Sequence, residues 1–318
     1  FFEITRKNFS IKQISQGLKV DLELLLIYTL YMRKREDFVP MKTLECRGIT
    51  LSDKQTKICV PITGTDLEEI KEQAEKIANM NPDVVEWRAD FYDVKDNDET
   101  EFEQCLKAIN DNLKKIPIIY TYRTSNEGGE KSIDVDDYCR LCKYVSEISE
   151  KYNVAMIDVE LYENKDRKDI GKLLLDIKST GVKVIGSNHH FEGTPSEKDI
   201  FNVLKTMEEA GADICKIAVM PKEKVDVKTL INASKKANKE LNAPIITMSM
   251  GELGAVTRIC TRMTGSVVTF GAGVNASAPG QPPCEMVRFL LKASESGKID
   301  CNVALIGFMG TGKTTISN

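Results

Sequence analysis

The sequence predicts a (β/α)8 barrel, an α/β fold in which eight parallel strands alternate with helices. Short β-branched runs alternate with longer amphipathic runs, and the alternation occurs eight times over roughly 240 residues. Glycines or prolines stand at several of the joins, as at Pro117, Gly181, Gly211 and Pro244. A doubly wound open sheet is the alternative, but the glycine-rich loop that usually follows its first strand is missing from the sequence.

The predicted strands are short and apolar, with side chains that alternate between two faces. They are Lys57–Ile62, Val84–Arg88, Pro117–Arg123, Ala155–Glu160, Lys183–Asn188, Ile214–Val219, Pro244–Met248 and Ser266–Gly271. The predicted helices carry apolar residues at three- and four-residue spacing. They include Asp66–Ala78, Thr100–Leu113, Asp136–Lys151, Asp166–Ser179, Glu197–Ala210 and Val227–Leu241. We expect the barrel domain to span residues 41–298, after an unassigned segment at 1–40.

The composition is that of an ordinary globular protein. The 318 residues are 42% apolar and 29% charged, and the net charge of -4 argues against a nucleic-acid-binding surface. The longest apolar run, Leu22–Tyr31, has about half of the roughly 18 residues that a membrane span needs, so we expect no membrane partner.

The nine cysteines are scattered along the sequence. Cys139 and Cys142 form a C-x-x-C within a helical pattern, with no second pair downstream, which favours two thiols on a helix over a zinc or redox site. Reduced thiols are typical of the cytoplasm, where we expect the protein to be.

Barrel enzymes carry their chemistry at the carboxyl ends of the strands, and ionisable residues collect at these ends here. They include Glu86, Arg88, Arg123, Glu160, His189 and Lys216, with the apolar Met248, Met250 and Phe270 alongside. Buried charges are costly unless they are paired, so a purely structural barrel has little reason to place them on one rim.

Lys216 lies in an otherwise apolar strand, ADICKIAVMP. It points either into the barrel or outward to the helices, and in both cases we expect it to be poorly hydrated. A free amine in a dry pocket can attack a carbonyl to form an imine. The alternative is a lysine whose stem packs while its head reaches solvent.

Proton transfer and anion binding have candidates on the same rim. His189 and His190, the two histidines of the chain, follow the strand next to that of Lys216 and suit proton transfer near neutral pH, although they could be a surface pair. Arg258 could hold a carboxylate through its planar fork. The loop at residues 275–281 offers a hydroxyl, an amide and backbone N–H groups, or is an ordinary turn.

Six motifs, in order, resemble those of type I 3-dehydroquinate dehydratase over about residues 50–297. They are EWRAD, YTYRTSNEGGE, SNHHF, ADICKIAVMP, TMSMG and SAPGQ. The resemblance implies an imine-forming Lys216, a general acid/base His189 and a carboxylate, Glu127, that orients and charges the histidine. It also implies a substrate-binding set of Glu86, Arg88 and Arg123 for ring hydroxyls, of Arg258, Ser277 and Gln281 for the carboxylate and a hydroxyl, and of Met248, Met250 and Phe270 as apolar walls.

The implied reaction is the dehydration of 3-dehydroquinate to 3-dehydroshikimate through a lysine Schiff base, in the shikimate pathway of aromatic amino acid biosynthesis. The resemblance implies a homodimer, and it implies neither a metal nor an organic cofactor. Pro61 and His190 depart from the family, since some members carry Ser at the first position and Asp is common at the second. Two rival functions remain: another Schiff-base barrel such as a class I aldolase, and a non-catalytic barrel that serves as a scaffold.

The last residues contain a separate motif. Asn302–Ile306 is a predicted strand that leads into GFMGTGKT, which fits the phosphate-binding P-loop pattern with Gly307, Gly312, Lys313 and Thr314. The sequence of this segment resembles the start of shikimate kinase. The resemblance implies a kinase domain with ATP and Mg²⁺ as ligands, and a full-length protein that is bifunctional. Residues 299–318 hold only the start of such a domain, too little for a working nucleotide site.

Overall fold

The computed structural model describes residues 41–93, 98–161 and 168–295 of the chain. The unassigned segment 1–40 and the P-loop residues Gly307, Gly312, Lys313 and Thr314 lie outside the described residues. Within the described part of the chain, no helix combines the length and the apolar character that crossing a bilayer requires.

The described chain begins with a short antiparallel hairpin of β1 (Thr43–Cys46) and β2 (Ile49–Ser52). Eight parallel strands follow: β3 (Lys57–Ile62), β4 (Val84–Arg88), β5 (Ile118–Thr121), β6 (Val154–Glu160), β7 (Lys183–His190), β8 (Ile214–Val219), β9 (Ile245–Ser249) and β10 (Val268–Phe270). Their order in the sheet is β10-β3-β4-β5-β6-β7-β8-β9. The backbone N–H of Val267 donates to the carbonyl of Ile245 at 3.0 Å, which joins β10 to β9 and closes the barrel. The predicted (β/α)8 barrel is confirmed.

Helices cover the outside of the barrel. They are α1 (Leu67–Met80), α2 (Glu99–Leu113), α3 (Val135–Glu147), α4 (Lys168–Ser179), α5 (Glu197–Glu209), α6 (Lys224–Glu240), α7 (Gly251–Ile259) and α8 (Cys284–Glu295). Several begin where a short polar side chain accepts the first free backbone N–H groups, as Asp66 does from Glu69 at 2.9 Å. Cys139 and Cys142 both lie on α3.

A few element bounds differ from those predicted. Strand β5 ends at Thr121 instead of Arg123, and β7 continues to His190 instead of ending at Asn188. Helix α6 begins at Lys224, three residues before the predicted start, because Glu223 and Asp226 form a capping box at that point.

The interior of the barrel is layered. Toward the amino ends of the strands it is apolar, with Cys59, Val84, Ile119, Met156, Ile185, Ile214, Ile246 and Val268 in one cluster. The hairpin seals this end, because the fully buried Leu51 and the buried Cys46 belong to the same cluster. The thiol of Cys46 also donates to the carbonyl of Ala155 at 3.1 Å. This hairpin was not predicted, since its four-residue strands carry too little pattern.

Candidate active site

A cavity of about 510 Å³ opens at the carboxyl ends of the strands. Its lining includes every residue proposed above for substrate or catalysis in the barrel: Glu86, Arg88, Arg123, Glu127, His189, Lys216, Met248, Met250, Arg258, Phe270, Ser277 and Gln281. Phe91 and Phe191 add aromatic walls that the sequence did not indicate.

Lys216 points into the barrel, where the sequence had left its direction open. Its neighbours on β8 alternate, since Ile214 and Ala218 belong to the interior cluster while Ile217 packs outward under the helices. The lysine is 4% exposed, and its Nζ lies 2.8 Å from Oδ2 of Asp158 and 3.8 Å from Oε1 of Glu86. The expectation of a poorly hydrated side chain fits, but the surroundings are charged and not simply apolar.

The ring of His189 is held by a carboxylate. Its Nδ1 lies 2.8 Å from Oε2 of Glu127, and the amide of Asn188 donates to the other oxygen of Glu127 at 3.2 Å. The side chain of Glu127 is 4% exposed and that of His189 is 11% exposed. Because Nδ1 is engaged by Glu127, Nε2 is the ring nitrogen that remains available to a molecule in the cavity.

The charge on this pair depends on its surroundings. Burial and the nearby cations Arg123 and Lys216 hold the pKa of His189 well below its usual range. Burial and the neighbouring Glu160 raise the pKa of Glu127 to about 8. These causes act against the expectation that Glu127 raises the pKa of His189, because the two cations and the loss of water oppose a single carboxylate. The role of Glu127 in orienting and charging the ring stays a prediction. The lowered pKa favours a neutral ring for His189.

Arg123 is the centre of a buried ionic network. Its guanidinium donates to Asp158 at 2.7 Å, to Glu160 at 3.0 Å and to Ser187 at 3.0 Å. Burial alone would raise the pKa of Asp158, but Arg123 and Lys216 hold it well below its usual range. Asp158 is therefore a fixed negative charge in the middle of the barrel.

Arg88 and Glu86 are also held in place from within the barrel. Arg88 makes a two-point contact with Asp90, at 2.8 and 2.7 Å, and stacks over the ring of Phe91 at 4.9 Å. Glu86 accepts a hydrogen bond from the hydroxyl of Thr121 at 2.9 Å. These contacts fix the direction of both side chains before any ligand arrives.

Arg258 has a different environment. It lies on α7, lines the cavity and is 2% exposed, yet its Nε and Nη2 have no hydrogen-bond partner among the described residues. Burial lowers its pKa to about 10. A buried guanidinium without a partner is costly, so the site is suited to an anion that enters the cavity.

The loop after β10 covers one side of the cavity. The side-chain oxygen of Gln281 accepts from the backbone N–H of Ser277 at 2.8 Å, and its amide donates to the Ser277 hydroxyl at 3.0 Å. Arg88 donates to the carbonyl of Ser277 at 3.3 Å, which ties the loop to β4. Gly280 has a φ of +73° and faces the backbone of Gly251 so closely that a Cβ there would lie 2.3 Å from its oxygen. This position therefore requires glycine.

The two departures from the resembling family lie outside the cavity lining. Pro61 is buried in β3, in register with Glu86. His190 ends β7, and its carbonyl accepts from the N–H of Met220 at 2.9 Å. Neither residue lines the cavity that holds His189 and Lys216.

Asp158 is the main residue that sequence reasoning missed. It occupies the middle of β6, two residues from the interior Met156, and its side chain is 1% exposed. An aspartate in an apolar strand, in phase with inward residues, was the available signal. Ser187 was missed as well, although β7 pairs it directly with Lys216.

The arrangement suits covalent and proton-transfer chemistry on an anionic carbonyl compound. Around one space it offers the amino group of Lys216, the ring of His189 and the guanidinium of Arg258, whose Nε and Nη2 have no partner among the described residues. Among the described residues, no group of His, Cys, Asp and Glu side chains is arranged to hold a metal ion.

The comparisons with known proteins agree with this geometry. The family model described as type I 3-dehydroquinase matches residues 58–298. A 3-dehydroquinate dehydratase from Bacillus licheniformis is 42% identical over 243 residues, which cover 76% of this chain and 92% of the relative. The solved structure of 3-dehydroquinate dehydratase from Geobacillus kaustophilus HTA426 has a TM-score of 0.76 and 33% identity, with 80% of this chain and 97% of that one covered. That of type I 3-dehydroquinate dehydratase from Clostridium difficile, with covalent modified comenic acid, has a TM-score of 0.75 and 35% identity, with 80% and 98% covered. The chain therefore belongs to the type I 3-dehydroquinase family.

Proposed function

We propose that this chain is a hydro-lyase that dehydrates 3-dehydroquinate to 3-dehydroshikimate through an imine on Lys216. One observation carries the proposal: the amine of Lys216 and the neutral ring of His189 line the same cavity as the unpartnered Arg258. The substrate has a ketone for the amine, an acidic C–H for the ring and a carboxylate for the guanidinium. Family membership supports the same reaction.

The first step joins enzyme and substrate. The ammonium of Lys216 and the ketone give an iminium and water, so the positive charge starts and ends on the same nitrogen. The iminium withdraws electrons from the neighbouring carbon and makes its proton more acidic. Lys216 therefore acts as the electron sink, and the reaction needs no cofactor.

His189 then moves the proton. When Glu127 is ionised it accepts from Nδ1–H, and Nε2 then takes the proton from carbon and leaves a neutral enamine. The same nitrogen returns the proton to the departing hydroxyl, which leaves as water and restores a conjugated iminium. Hydrolysis of that iminium releases the product and the lysine. Glu127 keeps the ring in the orientation that these transfers need.

The remaining cavity residues bind the substrate in this proposal. Arg258, with Ser277 and Gln281 of the covering loop, holds the carboxylate and a hydroxyl, and Glu86, Arg88 and Arg123 hold the ring hydroxyls. Met248, Met250 and Phe270 form the apolar wall that keeps water from the reacting carbon.

Reduction with borohydride during turnover tests the proposal. Hydride adds to the iminium carbon, so the adduct becomes a stable secondary amine on Lys216, which peptide mass mapping locates. The enone absorbance of the product should appear with wild type, and Lys216→Met should abolish both signals. Lys222→Met, which removes an exposed lysine on the same side of the barrel, is the matched control. An adduct on another residue, or turnover without any adduct, would exclude the mechanism.

The same assay separates the two rival functions. A class I aldolase would form the imine but cleave a carbon–carbon bond and yield no enone. A non-catalytic scaffold would give neither an adduct nor product. The unpartnered guanidinium of Arg258 favours a substrate that carries a carboxylate, which supports the dehydratase over both rival functions.

We also propose a cytoplasmic homodimer, and a shikimate kinase-like domain that follows the barrel and uses ATP and Mg²⁺. The scattered cysteines support a reducing compartment, and the resemblance of the barrel supports the dimer. Only the motif at residues 307–314 supports the kinase and a bifunctional protein. Light scattering of the purified protein tests the dimer, and shikimate-dependent ATP consumption by the natural full-length protein tests the kinase.

A further inference from the structure

We propose that Asp158 is a positioning residue that holds the nitrogen of Lys216 in place and acts as its counter-ion throughout the imine reaction, a role that rests on the proposed dehydratase function. Oδ2 of Asp158 lies 2.8 Å from Nζ of Lys216. The lysine side chain is 6% exposed and that of the aspartate 1%, so this ion pair is almost dry. A contact of this kind is directional as well as electrostatic.

The two carboxylate oxygens of Asp158 accept hydrogen bonds from different side chains. Oδ1 accepts from Nη2 of Arg123 at 2.7 Å and from the hydroxyl of Ser187 at 2.6 Å. These two donors fix the carboxylate and leave Oδ2 for Lys216. Because Arg123 remains when the lysine changes charge, Asp158 keeps a cationic partner at every stage.

The chemistry of the lysine requires such a partner. Its nitrogen is positive as ammonium, neutral as the attacking amine, and positive again as the iminium. A carboxylate that stays ionised can accept a hydrogen bond from the ammonium and from the iminium N–H in the same direction. A base that took the proton itself would lose its charge when the iminium formed, and the pKa of Asp158, held low by Arg123 and Lys216 against the effect of burial, argues against that role.

Glu86 is the other carboxylate near the lysine, but it lies farther away, at 3.8 Å, and is engaged by Thr121. The face of the Phe270 ring closes another side of the nitrogen, at 4.9 Å. The titratable and charged groups that face this nitrogen are Asp158 of β6, Glu86 of β4, Arg123 beyond β5 and His189 of β7. Asp158 is the one among them that makes a direct hydrogen bond.

Asp158→Asn tests the proposal, because asparagine keeps the shape and removes the charge. The rate of borohydride trapping with product should fall about 10- to 10²-fold at its plateau, as expected for the loss of one partner of a buried charged pair. The pH of half-maximal trapping should also move down by about one unit or more, since the carboxylate no longer favours the ammonium. A residue that only supports the fold would leave this pH midpoint in place.

Glu160→Gln is the matched control. Glu160 is a buried carboxylate that contacts Arg123 at 3.0 Å and accepts from the hydroxyl and the backbone N–H of Thr124, both at 2.7 Å. Its loss should alter trapping less and leave the pH midpoint unchanged. Equal effects of the two substitutions would show that Asp158 acts only through Arg123 and would overturn the proposal.

Ser187→Ala keeps the test decisive if Asp158→Asn does not fold. It removes one of the two donors that fix Asp158 and should slow trapping in the same direction by a smaller factor. Wild-type trapping and an unchanged pH midpoint in a folded Asp158→Asn, or in Ser187→Ala where only that variant folds, would refute the positioning role. Failure of wild type itself to dehydrate 3-dehydroquinate would instead refute the proposed function, so the two failures are distinct.

Discussion

Glu127 and His189 form a buried pair in which the carboxyl, not the ring, has the raised proton affinity. Their contact is 2.8 Å long, and the cations Arg123 and Lys216 lie close enough to disfavour an imidazolium. A carboxylate beside a histidine usually favours the charged ring, so this pair shows that the sum of the surrounding charges decides the outcome.

The ring of His189 should therefore titrate below pH 6.5. The chain has two histidines, so ¹⁵N NMR of the wild type and of His190→Asn, which retains His189 alone, assigns the signal. The unfolded chain takes up this proton near pH 6.5 and the folded chain only at lower pH. The contribution of His189 to the free energy of unfolding is thus present above about pH 6.5 and is lost as the pH falls. A midpoint at or above 6.5 for His189 would contradict the prediction.

The two histidines should differ sharply in function. His189→Ala should lose about 10²- to 10⁴-fold in kcat, the usual contribution of a positioned acid/base, while Lys216 can still be trapped with borohydride. His190→Ala should retain most of the activity, because His190 does not line the cavity. Steady-state kinetics of both variants provide the measurement, and the reverse order of activities would show that the other ring serves the reaction.

Arg258→Ala should weaken substrate binding by about 2–5 kcal/mol, because an incoming carboxylate would lose its charged partner in a buried site. Arg258→Lys should restore only part of this, since lysine lacks the planar fork. Isothermal titration with the product measures the loss directly. Arg262→Ala, which removes an exposed arginine four residues away, is the control and should bind like wild type. Unchanged binding by Arg258→Ala would remove the assignment.

Leu51→Ala should lower the free energy of unfolding by about 2–5 kcal/mol, because the side chain is fully buried at the sealed end of the barrel. Leu175→Ala, at a leucine that is 72% exposed, should change it by less than about 1 kcal/mol. Chemical denaturation of both variants gives the comparison. A similar cost at the two sites would mean that the hairpin contributes little to the core.

Removal of residues 302–318 should leave the dehydratase activity intact. Every cavity residue lies before that segment, and the P-loop motif within it belongs to a separate proposed domain. A shortened chain that folds, as judged by circular dichroism, but no longer turns over 3-dehydroquinate would show that the segment assists the barrel.

Much of this architecture could be predicted because each strand-and-helix unit carries its own periodic pattern. The placement of Lys216 and His189 on one rim followed from the fold alone, since parallel strands bring their carboxyl ends together. Glu127 was different: it lies on a single 3₁₀ turn, for which periodicity gives no signal, and only the resemblance pointed to it.

Asp158 could not be paired with Lys216 from the sequence, because the pairing depends on inward side chains of β6 and β8 meeting in front of β7, which lies between these two strands. The unpartnered state of Arg258 has the same kind of origin. Its position on α7 gives no hint that the helix turns the guanidinium inward and that no carboxylate among the described residues meets it. Such features arise from three-dimensional proximity and from the balance of several charges.

The hairpin of β1 and β2 determines how substrate and product can enter and leave the cavity. Leu51 and Cys46 pack against the interior cluster, so the described barrel is closed at that end. The cavity opens at the opposite rim. Product must leave by the route through which the next substrate arrives. Product must therefore leave the cavity before the next substrate can bind, and accumulated product competes with substrate for the same cavity.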